Sequence, residues 1–186
     1  MEKRTEKPGS RITRVVITGP ECTGKSTLAK QLASHYHTEY IPEYAREYIT
    51  NLGRHYEYDD LVHIAEVQLK QAYESGNEAN GIVFLDTYLI ITKVWFNVVY
   101  GHCPSWIDEE LVRKTIDLYL LCNTNIPWSA DSVRENGGEM REKLYLMYKY
   151  ELEKLGCHYV VISGIGEQRM NGAIEAVNGL FYGRCH

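Results

Sequence analysis

The sequence predicts an α/β fold in which a doubly wound, parallel, five-stranded sheet lies between two layers of helices. Two observations lead to this expectation. Short apolar runs of strand length alternate along the chain with longer segments in which apolar residues recur at helical spacing. A chain of 186 residues, of which 44% are hydrophobic, is also long enough for one compact domain with a full core. We therefore predict a single domain over residues 1–186, with a flexible segment at 1–11.

The five predicted strands are short apolar runs, of which the third is the most informative. Residues 82–86 read I-V-F-L-D, a continuous apolar run closed by a carboxylate. This is the pattern of a buried parallel strand whose carboxyl end faces a ligand crevice. The predicted strands cover residues 15–18, 38–41, 82–86, 118–122 and 159–163.

The segments between these runs are predicted to contain the helices. The clearest is the amphipathic segment 59–75, in which Leu61, Ile64 and Leu69 fall on one face. Asp59 or Asp60 is expected to cap this helix, because a short carboxylate side chain accepts unpaired N–H groups of the first turn. The predicted helices cover residues 27–35, 44–51, 59–75, 89–100, 108–115 and 168–182.

A complete phosphate-binding motif separates the first predicted strand from the first helix. Residues 19–26 read G-P-E-C-T-G-K-S and fit the pattern G-x-x-x-x-G-K-[ST]. Gly19 and Gly24 allow backbone turns that point successive N–H groups into one concavity, and the N-terminus of the following helix attracts an anion. Lys25 is expected to reach the β- and γ-phosphates, while the Ser26 hydroxyl ligates Mg²⁺.

This motif predicts a three-layer P-loop NTPase fold with ATP and Mg²⁺ as cofactors. Asp86, at the end of the third strand, is the best candidate to steady the metal together with Ser26, through a bound water. The nucleotide contacts are expected from Gly19, Glu21, Cys22, Thr23, Gly24, Lys25, Ser26 and Thr27.

A phosphoryl acceptor needs a site on the same side of the sheet. Residues 42–47 read P-E-Y-A-R-E and follow the second strand, whose carboxyl end opens on the same crevice as the phosphate loop. Glu43 is suited to accept a hydroxyl proton, and Arg46 is suited to hold an anionic or polar group of the substrate. The alternative is that Glu43, Arg46 and Glu47 form an ordinary charged helix face.

Residues 123–156, between the fourth and fifth strands, are predicted to form a mobile lid over the triphosphate. This segment contains Arg134 and Arg141, both candidates to approach the charge on the transferred group. We assign a catalytic role to Arg134. The alternative for both arginines is a solvated ion pair with a glutamate at helical spacing, and for Arg141 the two interpretations stay open.

Aromatic side chains are expected to hold a flat ring of the substrate. Tyr44, Tyr88, Trp95 and Trp128 all fall near the predicted crevice, where an aromatic face suits stacking on a heteroaromatic ring. For Trp95 and Trp128, a role in core packing is an equal alternative.

Charge and cysteine content exclude several classes of function. The net charge is −5 without a long basic run, so the electrostatic footprint of a nucleic-acid-binding protein is missing. Residues 1–10 are too polar for a signal peptide, and no run approaches the ~20 apolar residues of a membrane span. Five cysteines without a C-x-x-C pair indicate neither a disulfide framework nor a zinc site. We expect a cytoplasmic protein that acts on a small molecule, and its oligomeric state stays open.

Several short motifs, taken in order, resemble those of a known family. The phosphate loop is followed by E-Y-A-R-E at 43–47, by L-D-T at 85–87 with T-K-V-W at 92–95, and by I-P-W at 126–128 with Asp131 and Arg134. Over residues 12–163 this combination is similar to the ribosylnicotinamide kinase domain of the bacterial NAD-biosynthesis regulator family, and to its stand-alone AAA-type ATPase relatives.

The resemblance implies phosphorylation of the 5′-hydroxyl of nicotinamide riboside by MgATP, which gives nicotinamide mononucleotide. It implies that Lys25 and Ser26 serve ATP and Mg²⁺, and that Asp86 serves the metal or the substrate hydroxyls. It also implies that Trp95 or Trp128 holds the pyridinium ring. A cationic ring over an aromatic face gains about 0.5–2 kcal/mol.

The sequence departs from this family at three positions. Tyr88 and Asn125 stand where the family often has acidic residues, and Ser132 replaces a frequent glycine. Since lost carboxylates change how a ribose or a cation is held, a second function stays open. This is a regulatory ATPase in which nucleotide binding reshapes residues 123–156 for a protein partner. A GTPase is disfavoured because the chain lacks the guanine-reading sequence N-K-x-D.

Overall fold

The computed structural model describes residues 11–75, 81–127 and 138–182, and this part of the chain has the predicted α/β architecture. Its five strands form one parallel sheet in the order β2-β3-β1-β4-β5. The strands are β1 (Thr13–Thr18), β2 (Tyr40–Ile41), β3 (Ile82–Asp86), β4 (Leu118–Cys122) and β5 (Tyr159–Ile162). The helices are α1 (Lys25–His35), α2 (Tyr44–Asn51), α3 (Tyr58–Glu74), α4 (Leu89–Tyr100), α5 (Ser105–Val112), α6 (Gly138–Lys154) and α7 (Gly166–Tyr182).

Some of the sequence predictions concern residues outside these described ranges. Most of the segment predicted to be flexible lies outside the described residues, as do Trp128, Asp131, Ser132 and Arg134. Among the helices of the described ranges, none combines the length and the apolar character that crossing a membrane requires.

Adjacent residues of the central strands point to opposite sides of the sheet and build two separate cores. Val16, Val83 and Leu85 face the layer that contains α3, α4 and α6. Val15 and Phe84 face α1 and α7 on the other side. Because the central strands are covered on both faces, they carry continuous apolar runs instead of alternating ones.

The predicted bounds agree with the structure for β3, β4, α2 and α4 and shift by a few residues elsewhere. β1 begins at Thr13, before the predicted start, because Thr13 already pairs with Ile82 of β3. β2 is shorter than the predicted strand at 38–41. Thr38 reaches β3 with its side chain, since its hydroxyl donates to the carbonyl of Ile82 at 2.6 Å.

The starts of α1, α3, α5 and α7 differ from the predicted ones by one to three residues, and for α3 and α5 the local cause is visible. α3 is capped by Glu57, not by Asp59 or Asp60, because Glu57 and Asp60 each accept the other's backbone N–H in a reciprocal capping box. α5 begins at Ser105, ahead of the predicted 108, since Pro104 occupies the N-cap position with a φ of −57°.

Half of the segment predicted as a lid is a packed helix. α6 lies against α4 and buries Leu144, Tyr148 and Leu152 in the core. The lid was predicted from the position of residues 123–156 between the fourth and fifth strands, and the charged residues of α6 hide its narrow apolar stripe in the sequence. Residues 138–154 are therefore part of the folded domain.

A buried lysine joins three helices. Lys93 on α4 is 5% exposed, and its ammonium lies 2.7 Å from Asp108 on α5 and forms a second ion pair with Glu151 on α6. Burial alone would lower the pKa of Lys93, but the hydrogen bonds to the two carboxylates raise it above its ordinary value. Lys93 therefore stays charged and fixes α5 and α6 against α4.

Lys93→Met should destabilise the protein, because it leaves Glu151, whose side chain is 11% exposed, without its charged partner. Removing one member of a buried pair costs about 3–5 kcal/mol, and we expect a loss of this size in the free energy of unfolding measured with urea. The control Lys149→Met breaks an exposed pair with Glu153 on the same helix. It should change the free energy by less than about 1 kcal/mol, and equal losses in both variants would contradict the role of Lys93.

Candidate active site

The carboxyl ends of β1, β2 and β3 meet at one edge of the sheet and form a cleft. β3 pairs with both β1 and β2, so the phosphate loop after β1, Glu43 after β2 and Asp86 at the end of β3 come together. The cleft has a volume of about 560 Å³. Its described lining residues are Ser26, Lys30, Tyr40, Pro42, Glu43, Arg46, Glu47, Thr50, Asn51 and Asp86.

The phosphate loop has the backbone shape that its glycines predict. Gly19 and Gly24 have φ angles of 136° and 71°, and Cys22 between them has a φ of 55°. Gly19 passes so close to β4 that a Cβ atom there would lie 2.7 Å from the carbonyl oxygen of Cys122. Gly24 is the N-cap of α1, so the loop ends at the unpaired N–H groups of the first helical turn.

Two side chains of the motif stabilise the loop. The Lys25 ammonium and the Thr23 hydroxyl both donate to the carbonyl of Pro20, at 2.9 and 2.8 Å. Thr23 is fully buried and supports the shape of the loop. Lys25 also acts electrostatically on Glu43 and Asp86, so its charge belongs to the cleft.

Asp86 has the surroundings of a metal ligand. It is 3% exposed, the Ser26 hydroxyl is hydrogen-bonded to it, and within the described structure its Oδ1 has no hydrogen-bond partner. Burial raises the pKa of Asp86 above its ordinary value, and Ser26 and Lys25 oppose the rise. An unpaired carboxylate oxygen beside a hydroxyl suits Mg²⁺, which takes oxygen ligands and completes its shell with water and substrate phosphates.

Glu43 and Asp86 both experience the charge of Lys25. Burial raises the pKa of Glu43, Lys25 lowers it, and the neighbouring carboxylate of Asp86 raises it again. The net rise places the working range of this carboxylate as a proton acceptor above its ordinary pKa of about 4.3. The fold thus brings Glu43 and Asp86 together beside Lys25.

Two of the aromatic residues predicted near the crevice, Tyr44 and Trp95, do not line the cleft. Among the described residues, the cleft lining includes Tyr40 but neither Tyr44 nor Trp95. The Tyr44 hydroxyl is hydrogen-bonded to His63 at 2.9 Å. The Trp95 indole N–H donates to the Tyr56 hydroxyl at 3.0 Å, and the two rings pack edge to face.

Tyr88 does not lie at the crevice, so its predicted placement is wrong. It is 2% exposed and packs inside the core beneath α3, α4 and α6. Arg46 does line the cleft, and so do Lys30 and Asn51, which the sequence pattern did not indicate. They were missed because they lie on helices α1 and α2 outside the recognisable motifs.

The residue after Asp86 is held in an unusual backbone conformation. Thr87 has a φ of 74°, which is rare for a β-branched residue, and its N–H donates to the carbonyl of Ile17 in β1 at 3.0 Å. The Gln68 amide donates to the Thr87 hydroxyl at 3.3 Å and accepts from Thr92 at 2.6 Å. This buried network fixes the strand end that carries Asp86. Gln68 has no sequence signal, because an amide on the apolar face of a helix only interrupts the pattern.

Two buried arginines contact the outer side of the phosphate loop. Arg141 on α6 donates to the carbonyls of Glu21 and Cys22, both at 3.0 Å, and Arg169 on α7 donates to the carbonyl of Thr23. Arg141 is therefore not the solvated partner of a glutamate. The sequence motifs did not indicate Arg169, although a signal exists: α6 and α7 both begin with G-E-x-R.

Known proteins resemble this chain over most of its length. A family model described as an AAA domain matches residues 14–169. The trifunctional NAD biosynthesis/regulator protein NadR of Salmonella typhimurium is 29% identical over 147 residues, which are 77% of this chain and 36% of that protein. The protein of the same name from Escherichia coli is 29% identical over 136 residues, 71% of this chain and 33% of that protein. The chain thus spans about a third of the length of these curated relatives.

Solved structures share the fold. NadR protein in complex with NR has a TM-score of 0.73 at 26% identity, over 91% of this chain and 51% of that chain. Deoxyadenosine kinase from M. mycoides has a TM-score of 0.64 at 14% identity, over 90% of this chain and 100% of that chain, and so shows the fold alone. The predicted P-loop fold and the family resemblance of the motifs are confirmed.

Gly19→Ala should weaken nucleotide binding, because its Cβ atom would clash with the Cys122 carbonyl and alanine is strained at a φ of 136°. We expect the Kd of a non-hydrolysable ATP analogue, measured by isothermal titration calorimetry, to rise about tenfold or more. The control Gly101→Ala places alanine at a φ of 75° in open space and should leave this Kd unchanged. Unchanged binding by both variants would argue against this loop as the nucleotide site.

Proposed function

Because the chain belongs to the AAA domain family and carries a complete phosphate loop, we propose that it is an ATP-dependent kinase that phosphorylates a small nucleoside. The observation that carries the proposal is the cleft in which the Glu43 carboxylate lies near Lys25 and Asp86. Phosphoryl transfer depends mainly on positioning and on charge, so it needs nucleotide, metal and acceptor at one place. The cleft meets that need beside the phosphate loop.

Each part of the reaction has a residue suited to it. The loop N–H groups and Lys25 bind the phosphates, and Lys25 stabilises the negative charge of the transferred group. Ser26 and Asp86 would hold Mg²⁺, which supplies positive charge to the phosphate oxygens when bound. Glu43 accepts the proton of the acceptor hydroxyl. We retain Arg134 as the proposed arginine for the transferred group.

Nicotinamide riboside is the first candidate for the acceptor. The similar NadR structure is described as a complex with NR, which we take to be this nucleoside. The cleft volume of about 560 Å³ lies within the range of about 300–1,000 Å³ that small-molecule sites occupy. Glu43, Glu47 and Asp86 line the cleft, and carboxylates suit both ribose hydroxyls and a cationic pyridinium ring.

The departures from the family pattern bear on how this acceptor is held. Tyr88 is buried, so the position where the family often has an acid presents no carboxylate to the cleft. Glu47 of α2 is a carboxylate that lines the cleft and compensates for that loss. Trp95 and Tyr44 remain proposed ring contacts, and both would have to exchange their hydrogen bonds to Tyr56 and His63 for contact with the substrate.

A regulatory ATPase is the second candidate. It is favoured by Arg141, which donates to the carbonyl of Cys22 in the loop and to that of Ile126, after β4, at 2.8 Å. This arrangement connects the nucleotide site directly to the chain that leads towards α6. A switch of this kind would hydrolyse ATP without a small-molecule acceptor.

The purified protein should release ADP from MgATP faster when nicotinamide riboside is present, and nicotinamide mononucleotide should form. Lys25→Ala should lower this turnover by about 10²–10³-fold, because it removes a charge that stabilises the transition state. Asp86→Asn should impair the Mg²⁺-dependent rate. Lys70→Ala, in which a 70% exposed lysine of α3 is lost, is the control and should match the unchanged protein. ADP release indifferent to every nucleoside in a panel would favour the regulatory ATPase.

The pH dependence of kcat/KM should reveal Glu43 as the base. Since burial raises the pKa of Glu43, activity should be present above this raised value and should fall as the pH drops through it, above the ordinary value of about 4.3. Glu43→Gln should lower kcat by about 10²–10⁴-fold and flatten the acid limb. The control Glu39→Gln, which replaces an exposed carboxylate before β2, should keep both the kcat and the acid limb of the unchanged protein. If the pH profile of Glu43→Gln kept the acid limb of the unchanged protein, Glu43 would not be the base.

A further inference from the structure

Three consecutive carbonyl groups of the phosphate loop are held by two buried arginines. The Arg141 guanidinium donates to the carbonyls of Glu21 and Cys22, both at 3.0 Å, and the Arg169 guanidinium donates to the next carbonyl, that of Thr23. In a planar trans peptide the C=O and the following N–H point in opposite directions. Carbonyls drawn outward by the arginines therefore leave the N–H groups of the loop pointing inward, where phosphate binds.

The two arginines occupy equivalent positions in their helices. Each helix begins with a glycine in the left-handed conformation, with φ angles of 56° at Gly138 and 54° at Gly166. In each helix the arginine is the fourth residue, within G-E-M-R of α6 and G-E-Q-R of α7. The same local sequence thus delivers one guanidinium from each helix to the loop.

These positions are unfavourable for an arginine unless a negative group compensates. A positive charge in the first turn of a helix is opposed by the positive end of the helix dipole. Arg141 and Arg169 are each 6% exposed, and neither forms an ion pair with a carboxylate of the described residues. The Arg169 Nε also has no hydrogen-bond partner in that part of the chain. Buried charges whose partners are carbonyls and other neutral groups are costly, so an anionic ligand is the natural complement.

We propose that Arg141 and Arg169 are positioning residues that preshape the phosphate loop from behind, and that the polyphosphate supplies the negative charge they lack. Lys25 contacts the phosphates themselves, whereas the two arginines act through the loop backbone. The inference rests on the nucleotide binding proposed above but not on the identity of the acceptor.

Each arginine also ties the loop to the chain at or beyond the end of a neighbouring strand. Arg141 donates to the carbonyl of Ile126, and the Ile126 side chain lies 3.4 Å from the position of a Cβ atom on Gly24. Arg169 makes the corresponding link to the carbonyl of Ile162 at the end of β5, at 3.4 Å. The loop is thus fixed to the segment that follows β4 and to the end of β5, and its shape depends on both helices.

Positioning can be distinguished from direct contact with the γ-phosphate by comparing ADP with ATP. The loop N–H groups cradle the α- and β-phosphates, which both nucleotides carry. A misshapen loop therefore weakens the binding of ADP and ATP by the same factor. The loss of a γ-phosphate contact weakens the binding of ATP alone.

The test is the Kd of MgADP and of a non-hydrolysable MgATP analogue, measured by calorimetry without an acceptor on the unchanged chain, Arg141→Met and Arg169→Met. We expect each substitution to raise both Kd values about tenfold or more, with their ratio unchanged. Arg11→Met removes the same charge from a 72% exposed side chain that precedes β1 at the opposite end of the strand from the loop. It should leave both Kd values unchanged. Because only folded protein is titrated, a role in stability alone would lower Tm and leave Kd unaltered.

Lysine variants keep the test decisive where a methionine variant folds poorly. Lysine keeps the charge but lacks the planar fork that reaches two successive carbonyls, so Arg141→Lys should also raise both Kd values together. Binding like that of the unchanged chain in Arg141→Lys would overturn the positioning role. A rise confined to the ATP analogue, or no rise in the folded methionine variants, would overturn it as well. Failure of the unchanged chain to bind either nucleotide would instead overturn the proposed function.

Discussion

The phosphate loop imposes the strictest requirement on this fold, because its N–H groups must face an anion while its carbonyls find partners elsewhere. A buried carbonyl without a partner is costly, so both sides of the loop have to be specified. On one side the Pro20 carbonyl accepts from Lys25 and Thr23. On the other side Arg141 and Arg169 bind the following carbonyls. The loop therefore depends on contacts from α6 and α7 as well as on its own sequence.

The charges of the cleft depend on one another in a similar way. Burial raises the pKa of both Glu43 and Asp86, and the neighbouring carboxylate of Asp86 raises the pKa of Glu43 further. Lys25 lowers the pKa of both carboxylates, so the side chain proposed to bind the phosphates also favours the ionised form of the proposed base and the proposed metal ligand. A kinase needs this balance, since Mg²⁺ binds a carboxylate that is ionised and a base must be free to take a proton.

The sequence predicted those features whose signals are local. The apolar run of β3, the phosphate loop and the helix α4 each lie within one short stretch of sequence, and the structure confirms the bounds of β3 and α4. Arg169 was missed because its partner Thr23 lies 146 residues away, and no periodicity links the two. Gln68 and Arg141 were missed or left open for the same reason, since burial of a polar side chain is decided by tertiary contacts. Trp95 belongs to a recognisable motif, but the motif does not determine the direction of its side chain, which packs against Tyr56.

The destination of the γ-phosphoryl group tests the central claim most directly. The protein would be incubated with Mg²⁺ and γ-labelled ATP in the presence of nicotinamide riboside and other nucleosides, and the labelled products would be separated and identified by mass. If the cleft is the acceptor site of a kinase, the label should appear in a nucleoside monophosphate, first of all in nicotinamide mononucleotide. Label that appears only in inorganic phosphate, at a rate no nucleoside changes, would contradict the assignment of the cleft as an acceptor site.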